Sequence, residues 1–362
     1  MNARPRSGTD EVSTISSFIE LTKPRIIELL LVTTVPAMVV AAGGWPGSWL
    51  VVYALAGGAL SAGGANVLNQ VYDRDIDRIM ARTEGRPLPT DRVSTRGATA
   101  FGIALGVAGF FVLWAGTTFL AASLSVVAFT FYVFVYTMFL KRSTTQNIVI
   151  GGAAGAVPAL IGWAAVTGSL SMTAWIMSAI IFFWTPPHFW ALSLKYEEDY
   201  RRAEIPMFPV VAGAAATYEQ ILWYSIVTVG ATLLLVPIGG LGTIYALVAV
   251  VFGVQMILLP VRLRRGSARP MKYFGYTNLY LALIFLAMMI DRLVYDTDLP
   301  GSRIWMSVGT VFVLGGLAMV ATVERRPEVR SPNVSAVRHA AEVTITMLVG
   351  IAVVAGSWMA LG

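Results

Sequence analysis

The sequence has 362 residues, of which 56% are hydrophobic and only 13% are charged, and its mean hydropathy is +0.70. Soluble domains rarely contain so large an apolar fraction, so these values exclude an ordinary water-soluble fold and indicate a membrane protein. The chain has no cysteine, which excludes disulfides, thiolate zinc sites and Cys-ligated haem.

Apolar runs recur along the whole chain. Each is about 20 residues long, which is enough to cross a hydrocarbon core of about 30 Å. The sequence predicts eleven transmembrane spans, near residues 25–43, 49–72, 97–115, 118–139, 146–166, 172–194, 218–238, 242–261, 274–294, 304–323 and 341–361.

The distribution of Lys and Arg predicts the orientation of these spans. With the N-terminus in the cytoplasm, 24 of the 26 basic residues fall in cytoplasmic segments, and only Arg292 and Arg303 fall outside them. The net charge of +6 is therefore a topology signal, and no nucleic-acid partner is predicted.

The segment after the second span, from Asp73 to Arg86, is densely charged, with eight ionisable residues among fourteen. Asn69, Asp73 and Asp77 recur every four residues. On a continuous helix their side chains occupy one stripe about 80° wide and about 12 Å long. Asp75 falls on the opposite side and is expected to be solvated or paired with arginine.

An amide and two carboxylates are hard oxygen ligands, which suit Mg²⁺ and suit zinc or copper poorly. Mg²⁺ usually takes one or two protein carboxylates and completes its shell with phosphate oxygens, so the stripe predicts a Mg²⁺–diphosphate site. Arg82 and Arg86 follow in a loop with two prolines, and guanidinium groups bind phosphate oxygens well. The alternative is a juxtamembrane helix whose acids pair with Arg74, Arg78 and Arg82.

Two further features of the early spans are weaker signals. Lys141 and Arg142 end the fourth span, where they either anchor the helix or contact diphosphate. Glycines between Gly57 and Gly64, together with Gly151 and Gly155, permit close helix contact and are interpreted as packing residues.

The sixth span contains Pro186 and Pro187, which are expected to interrupt the helix. If the helix resumes, His188, Lys195 and Asp199 share one face, with His188 up to about 16 Å deeper than Asp199. His188 is one of two histidines and the only one within a predicted span. It either serves a substrate or packs with a hydrogen bond to a backbone carbonyl.

Three stretches, in order, resemble one family. NVLNQVYDRDIDRIMARTEGRPLP (66–89) resembles the first Asp-rich motif of the UbiA-type intramembrane prenyltransferases. YTMFLKRSTTQNIVIGGAAGAVPALIGWAAVTG (136–168) and PPHFWALSLKYEEDYRRAEIPMFPVV (186–211) are similar to the branch of that family that farnesylates protohaem IX. The resemblance covers about residues 18–296.

This resemblance implies an all-α polytopic membrane protein with nine transmembrane helices around a central cavity. Residues 300–362 lie outside the resemblance and add two extra C-terminal transmembrane helices. The resemblance implies that Asn69, Asp73 and Asp77 hold Mg²⁺ on farnesyl diphosphate, and that His188 ligates or positions haem. The implied diphosphate-binding residues are Arg82, Arg86, Lys141, Arg142 and Lys195.

The chain departs from the family after the sixth span. Most members have a second Asp-x-x-x-Asp there, whereas this chain has Lys195-x-x-x-Asp199. The haem branch is similar in lacking the first Asp, so a second metal site is not expected and Lys195 is assigned to diphosphate. The implied catalytic residues are Asp73, Asp77, Lys195 and Asp199.

Two domains are predicted. Residues 1–299 form the prenyltransferase domain, and residues 300–362 form an extension with two spans and no assigned function. Because every motif precedes residue 210, the extension is expected to be dispensable for chemistry.

The implied reaction joins farnesyl diphosphate to haem B. Metal and arginines neutralise the departing diphosphate, a haem vinyl group attacks the farnesyl C1, and water adds to the other vinyl carbon, giving haem O. Haem B is then a substrate and not a retained cofactor, and haem A synthase is a candidate partner. The expected location is a bacterial cell membrane, with the N-terminus and the mouth of the site in the cytoplasm.

Two other functions remain open from the sequence. A prenyltransferase acting on a quinone precursor or another aromatic acceptor would share the acidic motif without needing His188. A secondary transporter with a broken sixth helix is a further alternative, although transport needs no cluster of metal-ligand acids at one mouth.

Overall fold

The computed structural model describes residues 14–294 and 302–361, and the described chain is helical throughout, without strands. The boundary predicted between residues 299 and 300 lies outside the described residues. The helices are α1 (Thr14–Thr22), α2 (Pro24–Ala42), α3 (Ser48–Tyr72), α4 (Arg74–Asp77), α5 (Thr95–Gly116), α6 (Phe119–Thr130), a π-helix (Phe131–Leu140), α7 (Asn147–Thr167), α8 (Met172–Lys195), α9 (Glu197–Arg202), α10 (Phe208–Ile238), α11 (Thr243–Arg264), α12 (Pro270–Val294), α13 (Ser302–Glu324) and α14 (Ala336–Leu361).

All eleven predicted spans coincide with long helices. Nine stretches of the described chain are long and apolar enough to cross a membrane, counting α6 and its π-helical continuation as one. The remaining two predicted spans are occupied by α2 and α8. Capping residues set several of the starts, because Ser94, Thr118 and Ser171 each accept a hydrogen bond from the backbone N–H three residues later.

The first nine long helices form a closed ring in chain order. Each long helix from α2 to α12 packs against the next one along the chain, and α12 returns to pack against α2. A cavity of about 190 Å³ lies between α2, α3, α6 and α7. The ring confirms the predicted nine-helix bundle, and this cavity lies on the side of it formed by α2, α3, α6 and α7.

The two C-terminal helices pack on the outside of this ring. α13 lies along α10, and α14 contacts α13, α8 and α7. The approach to α10 is close, since a Cβ added at Gly230 would lie 2.7 Å from the Phe312 side chain and 2.9 Å from the backbone nitrogen of Val313. The extension is therefore packed firmly against the ring.

The expected interruption of the sixth span is wrong. α8 runs without a break from Met172 to Lys195, with Pro186 and Pro187 inside it. Each proline removes one N–H donor but leaves its φ helical, and a buried helix tolerates this where neighbouring helices support it. The break comes later, at Tyr196, whose φ of −109° and ψ of 25° separate α8 from α9.

Candidate active site

Asn69, Asp73 and Asp77 lie together at the end of α3. α3 ends at Tyr72, but the backbone N–H of Asp73 still donates to the Asn69 carbonyl (2.9 Å), and that of Asp77 donates to the Asp73 carbonyl (2.8 Å). The helical repeat therefore continues into α4, as the sequence spacing predicts. All three residues are at most 4% exposed.

Two cations from elsewhere in the chain reach these carboxylates. Lys141 Nζ donates to Asp73 Oδ2, and Arg86 Nη1 donates to both oxygens of Asp77 at 2.9 and 2.8 Å. Asn69 Nδ2 also donates to Asp73 Oδ2 at 2.8 Å. The other carboxylate oxygen, Asp73 Oδ1, is buried and has no hydrogen-bond partner in the described parts of the chain.

The pairing expected for a simple juxtamembrane helix does not occur. Arg74 and Arg78 turn away from the stripe and both pair with the exposed Asp91. Arg82 instead lies 5.3 Å from the centre of the Tyr196 ring. The buried acids are thus matched by Arg86 and Lys141, which the sequence places after the helix and in another span.

Asp75 lies on the outer side of the segment, as predicted, and is paired with Arg142. Arg142 donates to both Asp75 oxygens at 2.7 Å, and its guanidinium lies 4.9 Å from the centre of the Tyr72 ring. This hydrogen bonding holds the pKa of the Asp75 carboxyl below its usual value. Arg142 Nη2 is also 3.6 Å from Asp73 Oδ1, so Arg142 stands at the rim of the buried group.

Lys23 is a member of the site that the sequence analysis missed, because it was counted only as a topology charge. Its Nζ donates to Asn69 Oδ1 at 3.0 Å. The chain turns through a left-handed conformation there (φ 54°), and side-chain amides on α3 hold the turn: Asn66 donates to the Thr22 carbonyl and Gln70 to the Leu21 carbonyl.

Lys23 lies among two cations, Arg86 and Lys141, and the two carboxylates Asp73 and Asp77. Burial is the main cause that lowers the pKa of Lys23 to about 7, and the neighbouring Arg86 and Lys141 lower it further. A group of cations crowded so closely around two buried carboxylates favours the binding of an anion.

A π-helix delivers two of the site's side chains. Thr137 Oγ1 accepts from Asn69 Nδ2 at 3.2 Å and donates to the Tyr132 carbonyl at 2.8 Å, while Lys141 follows the last residue of the π-helix. Such segments are rare and frequently lie at functional sites. Nothing in the largely apolar sequence of this segment predicts the change from α to π geometry.

The second charged segment is arranged differently from the single helix that was expected. Because α8 breaks at Tyr196, Asp199 belongs to a separate helix and does not share a face with His188 and Lys195. Asp199 pairs with Arg202. Lys195 is exposed, with its Nζ 5.1 Å from the centre of the Tyr196 ring.

The two charged segments nevertheless meet. Ile76 and Met80 from the first segment share one apolar cluster with Tyr200 and Ile205 from the second. The Tyr196 ring lies beside both Arg82 and Lys195. Lys195 is therefore at the edge of the site, whereas Asp199 pairs with Arg202 and has no hydrogen bond or ion pair with the buried carboxylates in the described chain.

His188 lies in α8 between two aromatic rings. Its ring centre is 4.2 Å from that of Trp184 and 4.5 Å from that of Phe274. Its Nδ1 is 2.7 Å from Thr277 Oγ1, and that hydroxyl donates to the Phe274 carbonyl. The imidazole therefore donates through Nδ1, which leaves Nε2 as the nitrogen with a lone pair.

The cavity begins one helical turn below Asn69, where it is lined by Asn66 and Tyr132, and it continues between apolar side chains. Gly58 and Gly155 also line it, and a Cβ at either position would meet no described atom within 4 Å. The packing interpretation is therefore wrong for these two glycines. It is confirmed for Gly57 and Gly64, where a Cβ would lie 2.6 Å from Leu113 and 2.5 Å from the Gly102 carbonyl oxygen.

A ring of membrane-spanning helices, with an apolar cavity that ends at buried carboxylates and cations, defines the class of helical intramembrane prenyltransferases. The chain belongs to the UbiA prenyltransferase family, whose model matches residues 30–284. Protoheme IX farnesyltransferase 1 of Saccharopolyspora erythraea is 53% identical over 298 residues, which cover 81% of this chain and 95% of that protein.

Solved structures support the fold. The apo structure of a UbiA homologue from Aeropyrum pernix K1 superposes with a TM-score of 0.59 at 21% identity, covering 74% of this chain and 99% of that one. A UbiA homologue from Archaeoglobus fulgidus bound to DMAPP and Mg²⁺ gives a TM-score of 0.52 at 17% identity, covering 84% and 99% of the two chains.

Proposed function

We propose that this protein transfers the farnesyl group of farnesyl diphosphate to a vinyl group of protohaem IX, with addition of water, giving haem O and diphosphate. The observation that carries the proposal is the buried Asn69–Asp73–Asp77 group, ringed by cations at the end of an apolar cavity. The name of the relative that is 53% identical supports haem as the acceptor. The expected location is a bacterial cell membrane.

The residues present fit a Mg²⁺ ion. Asp73 Oδ1 is a buried carboxylate oxygen without a hydrogen-bond partner among the described residues, and a hard cation would satisfy it. No group of three or more His, Cys, Asp or Glu side chains in the described chain could hold a metal. Mg²⁺ usually takes one or two protein carboxylates and completes its shell with substrate oxygens. When bound, Mg²⁺ would offset the negative charge of the diphosphate.

The cations of the site are proposed to bind the diphosphate. Arg86 and Lys141 pair with Asp77 and Asp73, and the remaining N–H donors of these two cations would bind phosphate oxygens. Lys23 and Arg142 stand beside them, and Arg82 and Lys195 flank the mouth at Tyr196. These donors would stabilise the negative charge that develops as the C1–O bond breaks.

The rest of the substrate is proposed to occupy the apolar interior. The farnesyl chain would enter the cavity below Asn66, past Gly58 and Gly155. Removal of water from this space protects the farnesyl cation until the vinyl carbon attacks it. His188 is proposed to orient haem through Nε2, since Nδ1 is committed to Thr277. Asp199 is proposed only as a residue at the mouth of the site.

Incubation of the purified protein with haem B, farnesyl diphosphate and Mg²⁺, followed by mass analysis of the haem, tests the proposal. The expected product has the mass of haem B plus one farnesyl group and one hydroxyl group. Both groups add across one vinyl double bond, so no haem atom is lost. A parallel incubation with an aromatic quinone precursor tests the alternative acceptor. Prenylation of that compound with unchanged haem would overturn the assignment.

A further inference from the structure

The C-terminal extension contains a cluster of buried ionisable side chains that the proposed mechanism does not use. Glu324 at the end of α13 and His339 and Glu342 on α14 are each at most 6% exposed. Ionisable groups buried inside a protein are costly unless they are paired, so a cluster of three requires an explanation. Their contacts lead to the candidate active site.

Glu342 and Arg338 bind the loop between the π-helix and α7. Glu342 Oε1 accepts from Arg338 Nε at 2.9 Å, and Oε2 accepts from Thr144 Oγ1 at 2.5 Å. Arg338 Nη2 donates to Ser143 Oγ at 3.1 Å. One ion pair on α14 thus holds two consecutive residues of that loop.

The same loop carries two of the proposed diphosphate-binding cations. Lys141 and Arg142, which reach Asp73 and Asp75, immediately precede Ser143 in the sequence. Asn147 Nδ2 closes the loop by donating to the Lys141 carbonyl at 3.3 Å. A shift of the loop at residues 143 and 144 would therefore move both cations relative to the carboxylates.

The other members of the cluster fix α14 in place. His339 Nε2 is 3.0 Å from the Glu324 carbonyl oxygen and 3.4 Å from Glu324 Oε2, both of which are acceptors. Gln220 Nε2 on α10 donates to Glu324 Oε1 at 2.9 Å. α14, which carries the Arg338–Glu342 pair, is thus bound through Glu324 to α10 of the ring.

We propose that Arg338 and Glu342 are positioning residues, which hold Lys141 and Arg142 in the arrangement that binds diphosphate. The inference rests on the proposed function and adds a role for the extension. It replaces the expectation that the last two helices are dispensable, because that expectation considered only where the motifs fall in the sequence.

The test measures the affinity of the full-length purified protein for inorganic diphosphate with Mg²⁺ by calorimetry, together with the KM values for farnesyl diphosphate and haem. Glu342→Ala and Thr144→Val each remove the hydrogen bond between Glu342 and Thr144, and Glu342→Ala also removes the carboxylate that pairs with Arg338. Each is expected to weaken diphosphate binding and raise the KM for farnesyl diphosphate about tenfold, with the KM for haem unchanged.

Two matched variants separate positioning from general stability. Thr144→Ser keeps the hydroxyl and should bind diphosphate like the wild type. Glu219→Ala removes a different ion pair between the extension and α10, with Arg326 at 2.9 Å, and should also leave diphosphate affinity unchanged. Equal weakening in Glu219→Ala and Glu342→Ala, or wild-type affinity in Thr144→Val, would overturn the inference. Failure of the wild type to farnesylate haem would count against the proposed function alone, because diphosphate binding still reports on the loop.

Discussion

At the scale of single residues, the carboxylates of the buried group carry the sharpest expectation. Asp73→Asn and Asp77→Asn keep the shape but remove the charge, so turnover should fall by about two to three orders of magnitude. The variants should still fold with a lower thermal midpoint, since the single amide oxygen can accept from Lys141 or Arg86 but the buried cation loses its counter-charge. Asp91→Asn, which alters an exposed carboxylate of the same segment, is the control. Full activity in either buried variant contradicts the metal assignment.

Arg86 and Arg82 are expected to differ, although the sequence treats them alike. Arg86 contacts both oxygens of Asp77, whereas Arg82 lies among the aromatic rings of the mouth. Lysine keeps the charge and loses the planar fork. Arg86→Lys should therefore reduce kcat/KM for farnesyl diphosphate about tenfold, and Arg82→Lys by less. If Arg86→Lys has wild-type kinetics, Arg86 does not bind diphosphate and serves only to orient the protein in the membrane.

His188 is predicted to position haem. His188→Ala should shift the Soret band of bound haem and weaken haem affinity, while farnesyl diphosphate affinity stays the same. Thr277→Val removes the acceptor that orients Nδ1 and should weaken haem binding less. If the Soret band is unchanged and only the thermal midpoint falls, the histidine serves the aromatic stack with Trp184 and Phe274.

At the scale of helices, the glycines divide into two groups with opposite expected effects. Gly155 faces the open cavity, so Gly155→Leu should fill space along the proposed farnesyl path. Activity with farnesyl diphosphate should fall more than activity with the shorter dimethylallyl diphosphate. Gly64→Ala should instead lower the thermal midpoint, because its Cβ would clash with the α5 backbone. Equal loss with both substrates in Gly155→Leu argues against a chain-length role.

At the scale of the whole molecule, the predicted orientation can be measured directly because the chain has no cysteine. Ser169 and Ser267 are both exposed, in connections predicted to lie outside and inside the cell. In intact spheroplasts, a membrane-impermeant maleimide should label Ser169→Cys and not Ser267→Cys. Detergent should expose both sites. The reverse pattern would place the site at the outer surface.

Local patterns determined the architecture and the centre of the site. The eleven spans could be predicted because hydrophobic length is set by the bilayer, residue by residue. The Asn69–Asp73–Asp77 stripe could be predicted because helical periodicity is local, and it survives the short irregularity at Asp73. The resemblance to a family added the diphosphate and haem, which spacing alone does not specify.

Only the tertiary structure decided which groups surround that stripe. Lys23 meets Asn69 across 46 residues of sequence, and Thr144 meets Glu342 across 198. Such contacts depend on how helices pack, and packing is set by shape over the whole bundle, so no local pattern contains it. The same reason explains why Asp199 does not continue the α8 face that carries His188 and Lys195: the break at Tyr196 places it in a separate helix.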